Sequence, residues 1–378
     1  MALAEQHGLL RDSVRKFARE RLAPNAARWD REKHFPRAEL QALAAMGLCG
    51  VAIPEEDGGA GMDCTALAIA CEEISAGDGS TCTIVMVTNL VANILLGYGN
   101  DAQKKEFLHP IAQGKILGAF CLTEPHAGSD AAAITTRAEK TGAHYVLNGV
   151  KQFITSGKNA ELAIVFAVTD KGAGKKGIGA FVVPTSTPGY RVARVEDKTG
   201  QRASDTAQIA LENCKVPAAN LLAQEGMGYR IALANLETGR INVAAQATGM
   251  ASTALEAALA YARERKSMGK TLLEHQAVNF RLADMATGVE ASRQLYLHAA
   301  QLRDAGQPCL KEASMAKLFA SEIAEKVCSD AIQIHGGYGY VADFPVERLW
   351  RDVRVTQIYE GANDIQRMVI GRVLAEGA

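Results

Sequence analysis

The sequence predicts an α+β protein in three parts: an N-terminal α-helical domain over residues 1–114, a middle antiparallel β domain over residues 115–223 and a C-terminal four-helix bundle over residues 224–378. Three observations support this prediction. Apolar residues recur at helical spacing toward both ends of the chain, short β-rich runs fill the middle, and the last part holds the longest helical segments. With 378 residues, 48% of them hydrophobic, the chain can bury two or three packed units.

The N-terminal region contains segments such as LRDSVRKFARERL, AELQALAAMGL and CTALAIACEEISA, with Gly and Pro breaks between them. Its longest apolar tract, residues 83–98, is interrupted by Asn89 and Asn93 and is short for a membrane span. We therefore predict a buried helix there and no association with a membrane. The first residues also lack the pattern of a signal peptide.

The middle region contains the β-rich runs HYVLNGVKQFIT, LAIVFAV, GAFVVP and TAQIALENCKV, separated by turn residues. Gly172, Gly174 and Gly177 spell GxGxxG between two of these runs. A dinucleotide fingerprint must leave a strand and open a helix, and no helical pattern follows here. The sequence therefore favours a hairpin loop at this position.

The C-terminal region returns to the helical period in three long segments, which predict a bundle. Such helices carry more apolar surface than one bundle face hides, so part of it is expected to lie between subunits. The formal net charge of −1, with neither sign collected in runs, excludes a general field for nucleic acid. Eight scattered cysteines without a CxxC pair suggest neither a metal site nor disulfides, and fit a reducing cytoplasm.

Six segments in chain order carry the chemistry that the sequence suggests. They are FCLTEPHAGSD at 120–130, KQFITS at 151–156, GQRASD at 200–205, RKSMGKTLLEHQ at 265–276, QIHGGYG at 333–339 and QIYEGAN at 357–363. The first alone could be an ordinary turn. Together and in this order they resemble the acyl-CoA dehydrogenase family over nearly the whole chain. The resemblance implies the three-part fold above, bound FAD and a homotetramer.

The resemblance assigns residues to the FAD site. Around the flavin ring it implies the residues Leu122, Thr123, Phe153, Ile154 and Thr155, and it also assigns Phe120, Ser129, Ala362 and Asn363 to the cofactor. For the diphosphate it implies Arg265 and Ser267, and it expects Gln276, Gln333, Gly336 and Gly337 to reach FAD as well, some of them from a neighbouring subunit. A guanidinium fork suits phosphate oxygens, but without the resemblance Arg265 would be interpreted as part of a solvated helix face.

On the substrate side, the resemblance carries over Ser129, Arg240 and Gly361. A structural ion pair is the alternative interpretation of Arg240. Glu360 is the implied catalytic base, although a glutamate before a glycine and a helix is in most proteins a solvated cap residue. Asn363 is predicted to cap the helix that follows. A minority of the family carries the base just before the arginine, where this chain has Gly239.

The implied reaction removes the α proton of an acyl-CoA to Glu360 and transfers the β hydride to flavin N5, giving a trans-2-enoyl-CoA. Electrons are then expected to pass to an electron-transfer flavoprotein. Three residues depart from the family pattern: Phe153 for a common Trp, Met268 for a Phe and Ala362 for a Thr. His126 is interpreted as an exposed turn residue. Two alternatives stay open, an oxygen-reactive flavoenzyme of the same fold and a non-catalytic helical scaffold.

Overall fold

The structure is a computed structural model that describes residues 4–377, so residues 1–3 of the predicted first helix and residue 378 lie outside it. The N-terminal helices are α1 Glu5–Phe17, α2 Ala23–Glu32, α3 Arg37–Ala45, α4 Cys64–Gly77, α5 Gly79–Tyr98, α6 Asp101–Gln103 and α7 His109–Ala112. Two of them begin at aspartates whose side chains cap backbone N–H groups, Asp63 for α4 and Asp78 for α5.

Helix α5 is the buried helix that the sequence predicted. The Asn89 side chain accepts from the N–H of Val51 at 3.1 Å and donates to the carbonyls of Leu48 and Val85, so its polar groups are paired inside the core. Within residues 4–377, α5 is the one helix whose length and composition would suffice to cross a membrane. Of its most apolar stretch, 83% is buried inside the protein.

The middle sheet has strands β1 Gly118–Cys121, β2 Arg137–Thr141, β3 His144–Thr155, β4 Leu162–Val168, β5 Ile178–Pro184, β6 Tyr190–Val195 and β7 Thr206–Pro217. Its order is β1-β4-β2-β3-β7-β6, with β5 paired to β4. Most strand pairs are antiparallel, as predicted, but β1 and β2 both run parallel to β4. Between β1 and β4 the chain forms the β2–β3 hairpin. This long connection allows β4 to enter the sheet beside β1 and run in the same direction.

The GxGxxG segment lies in a hairpin loop. Strands β4 and β5 pair antiparallel, with Val168 opposite Ile178. The loop between them contains Gly174 at φ 55°, a left-handed conformation that suits glycine. The hairpin prediction is therefore confirmed.

The C-terminal region contains α8 Gly228–Glu264, β8 Lys266–Ser267, β9 Lys270–Thr271, α9 Gln276–Asp304, α10 Leu310–His335, α11 Val346–Val353 and α12 Asn363–Ala375. Helices α8, α9 and α10 pack on one another, α12 packs on α10, and α4 packs on α8. Small buried residues such as Ala247 of α8 and Ala316 of α10 permit close approach of the helices. One continuous core joins the three regions, and Tyr359, in the loop that precedes α12, packs against it.

Candidate active site

Glu360 lies in the loop between α11 and α12, against α8. Its Oε2 is buried and has no hydrogen-bond partner among the described residues. A Cβ built on Gly239 of α8 would stand 2.5 Å from this oxygen, so the carboxylate occupies space that only a glycine leaves open. An unpaired buried carboxylate oxygen is costly in a folded protein, which makes Glu360 a candidate for chemistry rather than a solvated cap.

Three charged groups set the electrostatics of this site. Burial raises the pKa of Glu360 above its ordinary value, while the charges of Arg240 and Lys317 oppose the rise. Burial likewise lowers the pKa of Arg240 and lowers the pKa of Lys317 to about 7. Arg240 is buried, and its Nε has no partner among residues 4–377. The structure shows no ion pair for Arg240 within the described chain, contrary to the alternative interpretation.

The loop around Glu360 has an unusual backbone. Glu360 has φ 53° and Gly361 has φ 84°, two successive left-handed residues, and glutamate adopts that conformation only at an energetic cost. Gln366 of α12 donates from Nε2 to the carbonyl oxygens of Gly361 at 2.8 Å and Glu360 at 3.3 Å. These bonds help to hold the conformation that turns the carboxylate toward Gly239.

Asn363 does not cap α12, and that prediction was wrong. The N-cap position is Ala362, which makes no side-chain cap bond, and Asn363 is the first residue of the helix. Its buried Oδ1 instead accepts from Lys317 Nζ at 2.8 Å and lies 3.2 Å from Ser321 Oγ. The side chain turns inward because two donors of α10 meet it there.

The two predicted flavin segments lie side by side in the middle sheet. The N–H of Gln152 donates to the carbonyl of Thr123 at 2.8 Å, and Lys151 Nζ donates to that of Leu122 at 3.0 Å. These bonds join the segment that contains Phe120, Leu122 and Thr123 to the one that contains Phe153, Ile154 and Thr155.

A bulge of β3 turns Phe153 outward. The pairing of β3 with β7 shifts register between Lys151 and Ile154, and Phe153 there has φ 57°. Its ring is 64% exposed, whereas Ile154 is buried in the core. The bulge thus presents an aromatic face beside two strand ends, which suits a planar apolar ring system.

A groove of about 640 Å³ lies where the C-terminal ends of α8 and α10 meet. It is lined by Arg265, Ser267, Gly336 and Gly337 among others. The Arg265 guanidinium lies over the Tyr338 ring at 5.9 Å, and a Cβ on either glycine would meet nothing within 4 Å. A cation, a hydroxyl and uncovered backbone in one groove suit the diphosphate of FAD.

Other predicted residues lie apart from these clusters within the single chain. Ser129, Gln276 and Gln333 are exposed, and no side-chain hydrogen bond joins any of them to the site residues among the described residues, although the Gln333 carbonyl accepts from the N–H of Gly336 at the end of α10. His126 is exposed in its turn, as predicted, with Nε2 3.8 Å from Glu124 Oε2. A site that drew on Ser129, Gln276 or Gln333 would need a ligand or another subunit to bring them into it.

Two residues of the site were not predicted from the sequence, Lys317 and Gln366. Lys317 lies on the α10 face that also buries Ala313, Ala316 and Ala320. A lysine within an otherwise small and apolar helix face is a visible signal of a buried charge with a specific partner. Gln366 gives no comparable signal, because a glutamine one turn into a helix is ordinary.

Comparison with known proteins follows the same three parts. The acyl-CoA dehydrogenase N-terminal, middle and C-terminal domain families match residues 4–115, 119–214 and 226–375. The human mitochondrial short-chain specific acyl-CoA dehydrogenase is 46% identical over 97% of this chain and 90% of its own length.

Two solved structures are equally similar in fold. Butyryl-CoA dehydrogenase from Megasphaera elsdenii has a TM-score of 0.97 at 40% identity, with 99% of each chain covered. A chain in a structure of the electron transferring flavoprotein of Acidaminococcus fermentans also has a TM-score of 0.97, at 44% identity and with 99% of each chain covered.

Proposed function

The chain belongs to the acyl-CoA dehydrogenase family and is an FAD-dependent enzyme of acyl-CoA α,β-dehydrogenation, and we propose that Glu360 is the base that takes the α proton. One observation carries this proposal. The Glu360 Oε2 is buried, unpaired and lodged against the bare backbone of Gly239. A carboxylate in such surroundings has a raised pKa and is a stronger base than one in water.

The residues around Glu360 support proton abstraction in two ways. The positive charges of Arg240 and Lys317 favour the ionised form of the carboxylate and oppose the effect of burial. No hydrogen bond within the described chain uses the N–H of Glu360, so this donor is available to the thioester carbonyl oxygen of the substrate. The same residue would then supply the base and one donor that stabilises the developing enolate.

The groove residues Arg265, Ser267, Gly336 and Gly337 would hold the diphosphate of FAD, and the Phe153 bulge would lie beside its ring system. FAD, when bound, supplies the acceptor for the hydride that leaves the β carbon. The chain's own part is to place the substrate's α and β carbons between Glu360 and that acceptor, and to keep water out.

Arg265→Ala is expected to weaken FAD binding without unfolding the chain, because Arg265 is exposed and contributes no core packing. Loss of charge-assisted hydrogen bonds to phosphate should raise the Kd for FAD by about 10- to 100-fold. Titration of apoprotein with FAD, followed by flavin fluorescence, measures the change. Lys270→Ala, also exposed in the nearby hairpin, is a matched loss of charge and should bind FAD more like the native protein. An unchanged Kd in Arg265→Ala would remove Arg265 from the site.

We propose that the preferred substrates carry short acyl chains. The relatives named above as short-chain specific and butyryl-CoA dehydrogenases support this. So does a buried polar network beside the base. Gln246, two turns beyond Gly239 on the same side of α8, donates to Thr83 Oγ1 at 2.7 Å and accepts from Tyr359 Oη. A long apolar chain entering this region would have to break these paired bonds.

A ladder of saturated acyl-CoAs, from butyryl through octanoyl to dodecanoyl, tests the chain-length proposal with an artificial electron acceptor. The value of kcat/KM should be highest for butyryl- or hexanoyl-CoA and fall with further length. A maximum at octanoyl-CoA or beyond would contradict the proposal. Peroxide should not accumulate in step with turnover, and peroxide formed in proportion to substrate would favour an oxygen-reactive enzyme.

We also propose a homotetramer, a location in the cytoplasm and an electron-transfer flavoprotein as acceptor. The exposed positions of Gln276 and Gln333 support shared FAD sites, and the free, buried state of all eight cysteines is compatible with a reducing compartment. The Acidaminococcus fermentans structure supports the acceptor. Light scattering of FAD-loaded protein checks the assembly, and a fully loaded monomer would contradict it.

A further inference from the structure

Lys317 of α10 is a fully buried lysine beneath the base-bearing loop. Its relative exposure is 0%, which for a lysine requires specific partners. Its Nζ donates to the carbonyl oxygen of Gly361 at 2.9 Å and to Asn363 Oδ1 at 2.8 Å. Both acceptors follow Glu360 by no more than three residues. The lysine therefore contacts the loop from the side of α10, whereas the Glu360 carboxylate lies against α8.

The Gly361 carbonyl is the point where two supports of the loop meet. Lys317 Nζ reaches it from α10, and Gln366 Nε2 reaches it from α12 at 2.8 Å. The peptide that carries this oxygen follows the two left-handed residues Glu360 and Gly361. A glutamate stays in that conformation only where its surroundings hold it. The two donors are the side-chain contacts that hold this peptide.

The same lysine also faces the carboxylate electrostatically. The charged and titratable groups around Glu360 and Lys317 come from three elements: Arg240 of α8, Lys317 and Glu322 of α10, and Tyr359 of the loop itself. Of these, Arg240 and Lys317 favour the ionised form of Glu360. Arg240 is also the predicted substrate contact, whereas Lys317 is not, so Lys317 is the basic residue here whose effect on Glu360 can be tested apart from substrate binding.

We propose that Lys317 is a positioning residue for the dehydrogenation: it clamps the Gly361 carbonyl and Asn363 so that the Glu360 carboxylate stays against Gly239, and its ammonium group acts electrostatically on that carboxylate. The proposal rests on the proposed role of Glu360 as the base. It separates two effects of one side chain. The hydrogen bonds fix the geometry, and the charge sets the pH range in which the base works.

Three variants separate the two effects. Lys317→Met removes both charge and hydrogen bonds at nearly equal length. Asn363→Ala removes one acceptor of the clamp and leaves the lysine in place. Lys326→Met is the matched control, because it removes an exposed lysine of the same helix whose one ion-pair partner among the described residues is Asp330. If Lys317→Met yields no soluble yellow protein, Lys317→Gln replaces it. Glutamine also removes the charge, so the same change in the pH profile is expected, and its amide keeps a hydrogen-bond donor on a shorter side chain.

The measurement is the rate of flavin bleaching after anaerobic mixing with saturating butyryl-CoA, followed over pH, together with FAD content and Tm. In Lys317→Met the maximal rate should fall by roughly 10²-fold, the loss expected when a reacting group is displaced by about 1 Å. The acid limb of its pH profile, where activity falls as the base is protonated, should move to higher pH, because a nearby positive charge that lowered the pKa of Glu360 is gone. Asn363→Ala should bleach the flavin more slowly than the native enzyme, while the acid limb of its pH profile stays at the native pH. Lys326→Met should match the native enzyme in both rate and pH profile.

A Lys317→Met enzyme with full FAD content and a native acid limb would overturn the proposal, whatever its Tm. Glu360→Gln, run in parallel, keeps this failure distinct from failure of the base assignment. If Glu360→Gln still bleaches the flavin at the native rate, Glu360 is not the base. If Glu360→Gln is inactive while Lys317→Met behaves as native, only the role of Lys317 is refuted.

Discussion

Glu360→Gln should lower turnover of butyryl-CoA by roughly 10²–10⁴-fold, the usual contribution of a general base. Glutamine keeps the size of the side chain and the backbone N–H but cannot accept the α proton. No other carboxylate stands at the alternative place for a base, because that position is Gly239. The change is measured as kcat with an artificial electron acceptor, at equal FAD content.

The same variant should be at least as stable as the native protein, and this direction of the stability change follows from the raised pKa of Glu360. A carboxyl group whose pKa is higher in the folded than in the unfolded state favours folding while protonated, and this contribution is lost as the pH rises through the folded pKa. Above its folded pKa, Glu360 is therefore a buried ionised group that costs stability. Glutamine removes that charge, so Tm at neutral pH should be equal or higher. A clearly lower Tm would indicate a structural partner for the carboxylate.

Gly239→Ala is the second variant with a large expected effect. The new Cβ would stand 2.5 Å from Glu360 Oε2 and 3.2 Å from its Cδ, closer than real contacts allow. The carboxylate must move, and a shift of about 1 Å in a reacting group can cost roughly 10²-fold in rate. Alanine is otherwise favoured over glycine inside a helix by about 0.5–1 kcal/mol. We therefore expect a stable, FAD-loaded and slow enzyme.

Rates of flavin bleaching and thermal unfolding together check Gly239→Ala. Gly8→Ala is the matched control, since Gly8 lies within α1 and its added Cβ would meet nothing within 4 Å. The control should keep the native rate. Native activity in Gly239→Ala would mean that the carboxylate does not rest against α8, and the geometry assigned to Glu360 would be wrong.

The parts of the fold that the sequence predicted are those determined locally. Helix α5 could be predicted because its apolar run leaves few alternatives to a buried helix, and Asn89 finds its partners there. The hairpin at Gly174 could be predicted because strands flank it closely. The parallel pairing of β1 with β4 could not, because it depends on where β4 enters the sheet after a long connection.

In the candidate active site, too, local features could be predicted from the sequence and features set by distant contacts could not. The identity of Glu360 could be proposed from a motif, but its burial against Gly239 and its positive φ are set by helices distant in sequence. Asn363 was expected to cap a helix because asparagine commonly does so before one. Lys317, 46 residues earlier, instead draws its side chain inward. Local propensity was overruled by a buried cation that needed acceptors.

The most direct test of Glu360 as the base is a single anaerobic mixing of FAD-loaded Glu360→Gln with saturating butyryl-CoA, in which ligand binding and flavin absorbance are followed in the same sample. The assignment predicts that the spectrum shifts as the acyl-CoA binds, while the flavin absorbance stays almost unbleached over many native half-times. Bleaching at close to the native rate would contradict it, because the α proton would then be leaving to some other group.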